Sequence, residues 1–152
     1  MDLQLKKIEK SDENLLLEWR NSPSIVALGA LKKTVSQEEH SAWIERILSD
    51  LHSYYFLIIK DGIKCGQARL ELVSPKNYQI SIYLIEKFQG KKIGSFVLEL
   101  LSRDVLHKND VIIAKVIKEN LISKNFFTKN GFYIDEFDGQ KDDSLLTLFR
   151  KI

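Results

Sequence analysis

Tyr78-Gln79-Ile80-Ser81-Ile82-Tyr83-Leu84, followed closely by Gln89-Gly90-Lys91-Lys92-Ile93-Gly94-Ser95, decides the fold. In the first stretch Tyr78, Ile80, Ile82 and Leu84 alternate with Gln79, Ser81 and Tyr83, the period of a strand. The second stretch leads into a long helix with Val97, Leu98, Leu101, Val105 and Leu106 facing inward. A helix N-terminus carries unpaired N–H groups and a partial positive charge. Gly90 and Gly94 let the backbone approach a ligand and adopt turns closed to other residues. Lys87, Lys91 and Lys92 add full charges nearby. Together these make a site for phosphate groups. The turn has neither the Gly-Lys-Ser/Thr run of a Walker loop nor the dinucleotide fingerprint spacing.

The flanking sequence builds a sheet around this turn. Upstream, the apolar run Tyr54–Ile59 predicts a strand covered on both faces. Asp61-Gly62 predicts a hairpin and Ile63–Val73 its return strand. Ser74-Pro75-Lys76-Asn77 turns the chain into Tyr78. Further back, Leu3, Leu5 and Ile8 suggest a first strand, and Ser11 a cap for a helix from Asp12 to about Arg20. Asn21-Ser22-Pro23-Ser24 breaks that helix. Ser36-Gln37-Glu38-Glu39 is a capping box before Trp43, Ile44, Ile47, Leu48 and Leu51 at helical spacing. Downstream, Val111–Ile117 predicts a buried strand and Asn120–Asn130 a helix stopped by Gly131. Phe132–Phe137 and Leu145–Ile152 predict two last strands. The order β-α-α-β-β-β-α-β-α-β-β implies an α/β (α+β) fold, a mixed sheet with helices on both faces.

Composition narrows the function classes. The 152 residues suit one domain, residues 1–152, with no internal repeat or linker. Lys+Arg 23 against Asp+Glu 21 leaves a formal charge of +2, no support for a nucleic-acid footprint. With 44% hydrophobic residues the chain is not disordered. One cysteine excludes an intramolecular disulfide framework and a Cys-cluster zinc site. No apolar run approaches the roughly 18 residues of a membrane span. The N-terminus lacks the apolar core of a signal peptide, so a cytoplasmic location is the expectation. His40, His52 and His107 show no metal-ligand spacing, and no metal is expected. Cys65 reads as a small core residue.

Gln89-Gly90-Lys91-Lys92-Ile93-Gly94 resembles the acyl-CoA loop of the GNAT superfamily of N-acetyltransferases, Arg/Gln-x-x-Gly-x-Gly/Ala. Lys92 stands where the middle glycine is usual. Downstream, Asn120, Ser123, Phe126, Phe127, Lys129, Gly131 and Phe132 resemble the family's Asn-x-x-Ser-x-x-Phe-Tyr-x-Lys-x-Gly-Phe. Phe127 replaces the tyrosine that in many members protonates the departing CoA thiolate, so that role does not transfer. The resemblance implies a mostly antiparallel sheet of about seven strands with about four helices, splayed at its middle strands. It implies acetyl-CoA as donor co-substrate and a primary amine as acceptor. Ile82, Tyr83 and Leu84 would line the pantetheine arm, Ile82 and Leu84 pairing with its amides. Gln89 through Ser95 would meet the diphosphate, and Asn120, Phe127 and Lys129 would flank CoA.

Acetyl transfer needs a neutral amine, a donor for the developing oxyanion and a thiolate that can leave. The resemblance places the oxyanion donor at a backbone N–H near Tyr83 or Leu84. Gln67, Arg69 and Glu71 share one strand face, either a place for a base or a solvated sheet surface. Glu71 and Glu86 are the candidate bases, Tyr83 a relay or acid, and Asn120 a CoA contact or helix cap. Ser123 is a candidate partner for the sulfur.

Trp19-Arg20-Asn21-Ser22-Pro23 and Ser36-Gln37-Glu38-Glu39-His40-Ser41-Ala42-Trp43 resemble the branch acting on amino sugars of pseudaminic-acid-type pathways. The implied acceptor is the amine of a nucleotide-linked amino sugar, with Arg20, His40, Gln67 and Arg69 around it. Arg20, Lys32 or Lys33 would meet the nucleotide diphosphate. A protein N-terminus, as in ribosomal-protein acetyltransferases, is the rival acceptor, and a CoA-binding module without catalysis the rival class. A homodimer through Leu145–Ile152 stays open.

Overall fold

The structure, a computed structural model, describes residues 2–28, 33–136 and 144–152. Its strands are β1 (Leu3–Lys7), β2 (Tyr54–Lys60), β3 (Ile63–Ser74), β4 (Asn77–Leu84), β5 (Val111–Ile117), β6 (Tyr133–Ile134) and β7 (Leu145–Lys151). Its α-helices are α1 (Glu13–Arg20), α2 (Pro23–Leu28), α3 (Gln37–Ser49), α4 (Ile93–Leu100) and α5 (Leu121–Lys129). The seven strands form one sheet in the order β1-β2-β3-β4-β5-β7-β6. Every neighbouring pair is antiparallel except β4 and β5, which run parallel.

That parallel pair is short. Asn77, Tyr78 and Gln79 sit opposite Val111, Ile112 and Ile113, and the pairing stops there. β4 continues to Leu84 and β5 to Ile117 without facing each other, so the sheet opens at its centre as expected. Alternation along β2 sends Phe56 and Ile58 to one face and Tyr55 and Leu57 to the other. The first face packs on Ile93, Val97, Leu98 and Leu101 of α4 and on Phe127 of α5. The second packs on Leu16 and Trp19 of α1 and Ile44 and Ile47 of α3.

Local signals explain the helix ends. Ser36 Oγ accepts from Glu39 N at 3.1 Å, and Ser36 N donates to Glu39 Oε1 at 3.4 Å, closing the capping box. At the end of α5, Gly131 takes φ 88°. Phe132 N then donates to Phe127 O and Gly131 N to Thr128 O, at 3.1 and 3.2 Å, with the Phe127 and Phe132 rings 5.0 Å apart. That is a Schellman stop with its apolar contact. α4 runs on into a wider turn over Leu101–Val105, where Leu106 N reaches back to Leu101 O.

Three expectations are corrected. There are five α-helices among the described residues rather than about four: α1 ends at the expected break, but Pro23 within that break opens the short α2. Proline suits the first helical position, where its missing N–H has no partner to lose. Ser11 does not cap α1: Glu9 N donates to Asp12 Oδ2 at 2.8 Å across a single 3-10 turn instead. The strand expected over Phe132–Phe137 is only Tyr133–Ile134, and residue 137 lies outside the described residues.

Gly94 is needed for packing. A Cβ built there would lie 2.9 Å from Phe126 Cε1 and 3.0 Å from Cζ. The first turn of α4 therefore sits on the flank of α5. Gly94→Ala should destabilise by about 1–3 kcal/mol through overpacking, and Phe126→Leu in the same chain should recover part of that loss. Additive melting losses in the double-mutant cycle would show that the two residues do not meet.

Candidate active site

The loop between β4 and α4 is shaped by two left-handed residues. Gly90 has φ 72° and Lys92, directly before α4, has φ 63°. The position where a lysine replaces the usual glycine is thus one whose backbone favours glycine. Lys92 is exposed there, beside exposed Lys91. The Lys87 and Lys91 ammonium groups lie 5.8 and 5.9 Å from the buried Phe88 ring, a cation–π brace under the loop. The first amides of α4 have no earlier turn to bond to, since the first helical bond is Phe96 N to Lys92 O. Ser95 Oγ accepts from Asn130 Nδ2 at 3.1 Å, tying α4 to the end of α5. Amides, a partial positive charge and lysines thus converge at one helix entry, fit for a diphosphate.

Gln89 has a structural part in the loop. Its side-chain Nε2 donates to Leu84 O at 2.8 Å, so the carboxamide braces the loop against the end of β4.

The opening between β4 and β5 exposes backbone groups in a set pattern. Ile85 N donates to Cys65 O at 2.9 Å. By the alternation of an antiparallel ladder, Tyr83 and Ser81 turn their backbone groups towards β3. Ile82 and Leu84 turn theirs into the gap. The Leu84 carbonyl is already taken by Gln89, which leaves the Leu84 N–H and both groups of Ile82. At the far side, Asn120 caps α5, its Oδ1 accepting from Ser123 N at 3.1 Å. Phe127 is buried with its ring 5.0 Å from those of Phe126 and Phe132, a core residue. Lys129 is exposed on the last turn of α5.

On the opposite face, under α1–α3, lies a cavity of about 500 Å³. Leu16, Arg20, Ile25 and Val35 form its outer wall, with Glu39, His40 and Trp43 of α3 at its side. Gln67 and Arg69 of β3 and Ser81, Ile82 and Tyr83 of β4 make its floor. The four expected acceptor-side residues, Arg20, His40, Gln67 and Arg69, thus come together. His40 Nδ1 and Gln67 Nε2 are buried without a protein partner, on side chains only 5% and 4% exposed. Arg69 lies 5.6 Å over the Trp43 ring and 3.8 Å from Glu71. Burial pushes the Tyr83 hydroxyl well above the usual phenol range, against the opposing pull of Arg69 and Arg20. Tyr83 therefore keeps its proton, and it lines this cavity.

Glu71 shares the face of Gln67 and Arg69 but lies one step beyond the cavity, held by Arg69. Glu86 is exposed in a 3-10 turn. Lys33 offers its carbonyl to Arg20 Nη1 at 3.3 Å, and Lys32 lies outside the described residues. Glu39, Trp43, Ser81 and Val35 were not legible as cavity residues. Glu39 and Trp43 already had sufficient explanations in a cap and a core stripe. Among the described residues no three His, Cys, Asp or Glu groups cluster to hold a metal, and no helix is long and apolar enough to cross a membrane.

Residues 2–133 match the Acetyltransferase (GNAT) domain family. The chain belongs to that family and is an acetyl-CoA-dependent acyltransferase. It is similar to the acetyltransferase PseH of Campylobacter jejuni, 25% identical over 142 residues, covering 90% of this chain and 85% of that one. A spermidine N(1)-acetyltransferase of Thermoplasma acidophilum is 25% identical over 111 residues, 72% of this chain and 68% of the other. The crystal structure of Campylobacter jejuni PseH in complex with acetyl coenzyme A superposes with a TM-score of 0.72 at 19% identity, covering 99% of both chains.

Two measurements test the geometry. Lys92→Gly should match or exceed wild-type stability by up to about 1 kcal/mol, because it removes a strained left-handed side chain. A loss larger than that in thermal melting would contradict the assigned conformation. Burial holds the His40 pKa below its ordinary 6.5, with Glu13 opposing and Arg20 reinforcing the shift. The unfolded chain protonates first, so this stability is present above 6.5 and is lost as pH falls towards the folded value. His40→Gln should flatten the fall in melting temperature between about pH 7.5 and 5.5. An unchanged slope would mean the imidazole is not buried neutral.

Proposed function

We propose that the protein transfers the acetyl group of acetyl-CoA to the primary amine of a nucleotide-linked amino sugar. The observation that carries this is the lining of the cavity. Arg20 and Arg69 line it with one carboxylate, Glu39, while Glu71 just beyond it pairs with Arg69, and Gln67, Ser81 and Tyr83 add neutral hydrogen-bonding groups. A polyamine acceptor, itself a multiple cation, requires the reverse charge. A peptide N-terminus suits an acidic rim better than a cavity with a single lining carboxylate, Glu39. A sugar diphosphate brings negative charge for the arginines and hydroxyl or amide oxygens for Gln67. The likeness of Trp19–Pro23 and Ser36–Trp43 to the amino-sugar branch points the same way.

In this mechanism the amine nitrogen bonds to the thioester carbon while the carbon–sulfur bond breaks and its electron pair leaves on sulfur. The Leu84 N–H, turned into the gap, is the donor to the carbonyl oxygen as charge develops there. A sugar amine beside electron-withdrawing oxygens and two guanidiniums is less basic than lysine, so it enters neutral and needs no dedicated base. Its surplus proton leaves to solvent. Tyr83, which holds its proton, serves as a donor rather than as the base. Asn120 and Ser123 act through the capped start of α5, which forms the far wall of the gap.

The test is thiol release from acetyl-CoA with a UDP-linked 4-amino-4,6-dideoxyhexose, a panel of peptides with free N-termini, and spermidine. Turnover of the sugar well above the other amines is the expected result. Turnover confined to peptides or to spermidine would overturn the acceptor assignment while leaving the donor site standing.

A further inference from the structure

Two residues of the cavity's outer wall, Ile25 and Val35, lie between α1 and α3, and one side chain fastens the ends of that connection. Asn21 Nδ2 donates to Val35 O at 2.9 Å, and Val35 N donates to Asn21 Oδ1 at 2.8 Å. A single carboxamide thus satisfies both backbone groups of one residue fourteen positions away, as a neighbouring strand would. Asn21 closes α1, its own N–H bonded to Leu17 O, on a helix anchored by buried Leu16 and Trp19. Val35 directly precedes Ser36, the cap of α3. Between them Ser22 Oγ donates to Trp19 O, and Pro23 starts α2, which buries Ile25 against the cavity. Closing a loop of this length costs entropy of the same order as two net amide bonds supply. The clamp thus offsets the cost of holding this segment in place.

We propose that Asn21 is a positioning residue for the acceptor: its clamp on Val35 fixes the Ile25 and Val35 wall opposite the Gln67–Arg69 and Ser81–Tyr83 floor. Asn21 does not itself line the cavity, so it acts through the wall and not by touching substrate. The consequence for substrate rests on the amino-sugar acceptor proposed above; the clamp itself does not.

Asn21→Ala, Asn21→Asp and, as a distant control, Ser53→Ala separate these. Ser53 Oγ accepts from Leu72 N at 2.9 Å, away from the cavity, so its loss mimics a general loss of stability. The local readout is amide exchange at Val26, whose N–H bonds to Ser22 O and is untouched by either change. In Asn21→Ala that exchange should quicken by about tenfold, with α3 and the sheet unchanged. KM for the UDP-linked 4-amino-4,6-dideoxyhexose should rise about tenfold with kcat within about twofold and CoA affinity unaltered. Asn21→Asp, which keeps the acceptor for Val35 N–H and loses the donor, should fall between. Unchanged Val26 exchange, or a KM rise no greater than that of Ser53→Ala, overturns the proposal. If the wild type does not turn over the sugar, the acceptor assignment fails while Val26 exchange still decides the clamp.

Discussion

The structure depends on a parallel pairing that ends after three residues. Asn77–Gln79 lie against Val111–Ile113, and beyond them nothing joins β4 to β5. A continuous ladder would satisfy every backbone group and leave no place for a ligand. Its early end leaves the Ile82 and Leu84 groups turned into the gap in the middle of a sheet covered on both faces. Such groups are costly to leave unpaired, so the gap favours an extended, amide-bearing occupant. The arm of coenzyme A has that chemistry. The helix covering one face brings its N-terminus to the end of the same gap, and the three helices on the other face wall the acceptor cavity.

In the proposed mechanism donor and acceptor meet on one strand. β4 would offer its open edge to the donor, and Ser81 and Tyr83, which line the cavity, to the acceptor. Its other face, through Ile80, packs into the core with α4. The cavity carries Arg20, Arg69 and Glu39 among several neutral hydrogen-bonding groups, with Glu71 against Arg69. Buried Gln67 Nε2 and His40 Nδ1 have no protein partner, which supports the polar acceptor proposed for it.

Much of this was legible in the sequence because its signals are local. The capping box at Ser36 and Glu39 and the glycine stop at Gly131 each involve residues within one turn, and both form as expected. The alternation in Tyr78–Leu84 fixed which side chains share a face. The misread features needed distant partners or carried two meanings. Pro23 marks a helix end as readily as a helix start. Gly94 is explained by Phe126, thirty-two residues later, and no local pattern shows that contact. The bond from Gln89 to Leu84 O is likewise not visible in the sequence pattern. Glu71 lay on the correct face but too far along β3, because periodicity gives a side and not a depth.

The brace from Gln89 to Leu84 has a metric consequence. It joins the turn before α4 to the last residue of β4 through a side chain. Under the mechanism proposed above, these two places would meet the diphosphate and the thioester of the carrier. The brace limits how far they can drift apart, so the length of the carrier's tether would count in donor choice beside the chemistry at either end.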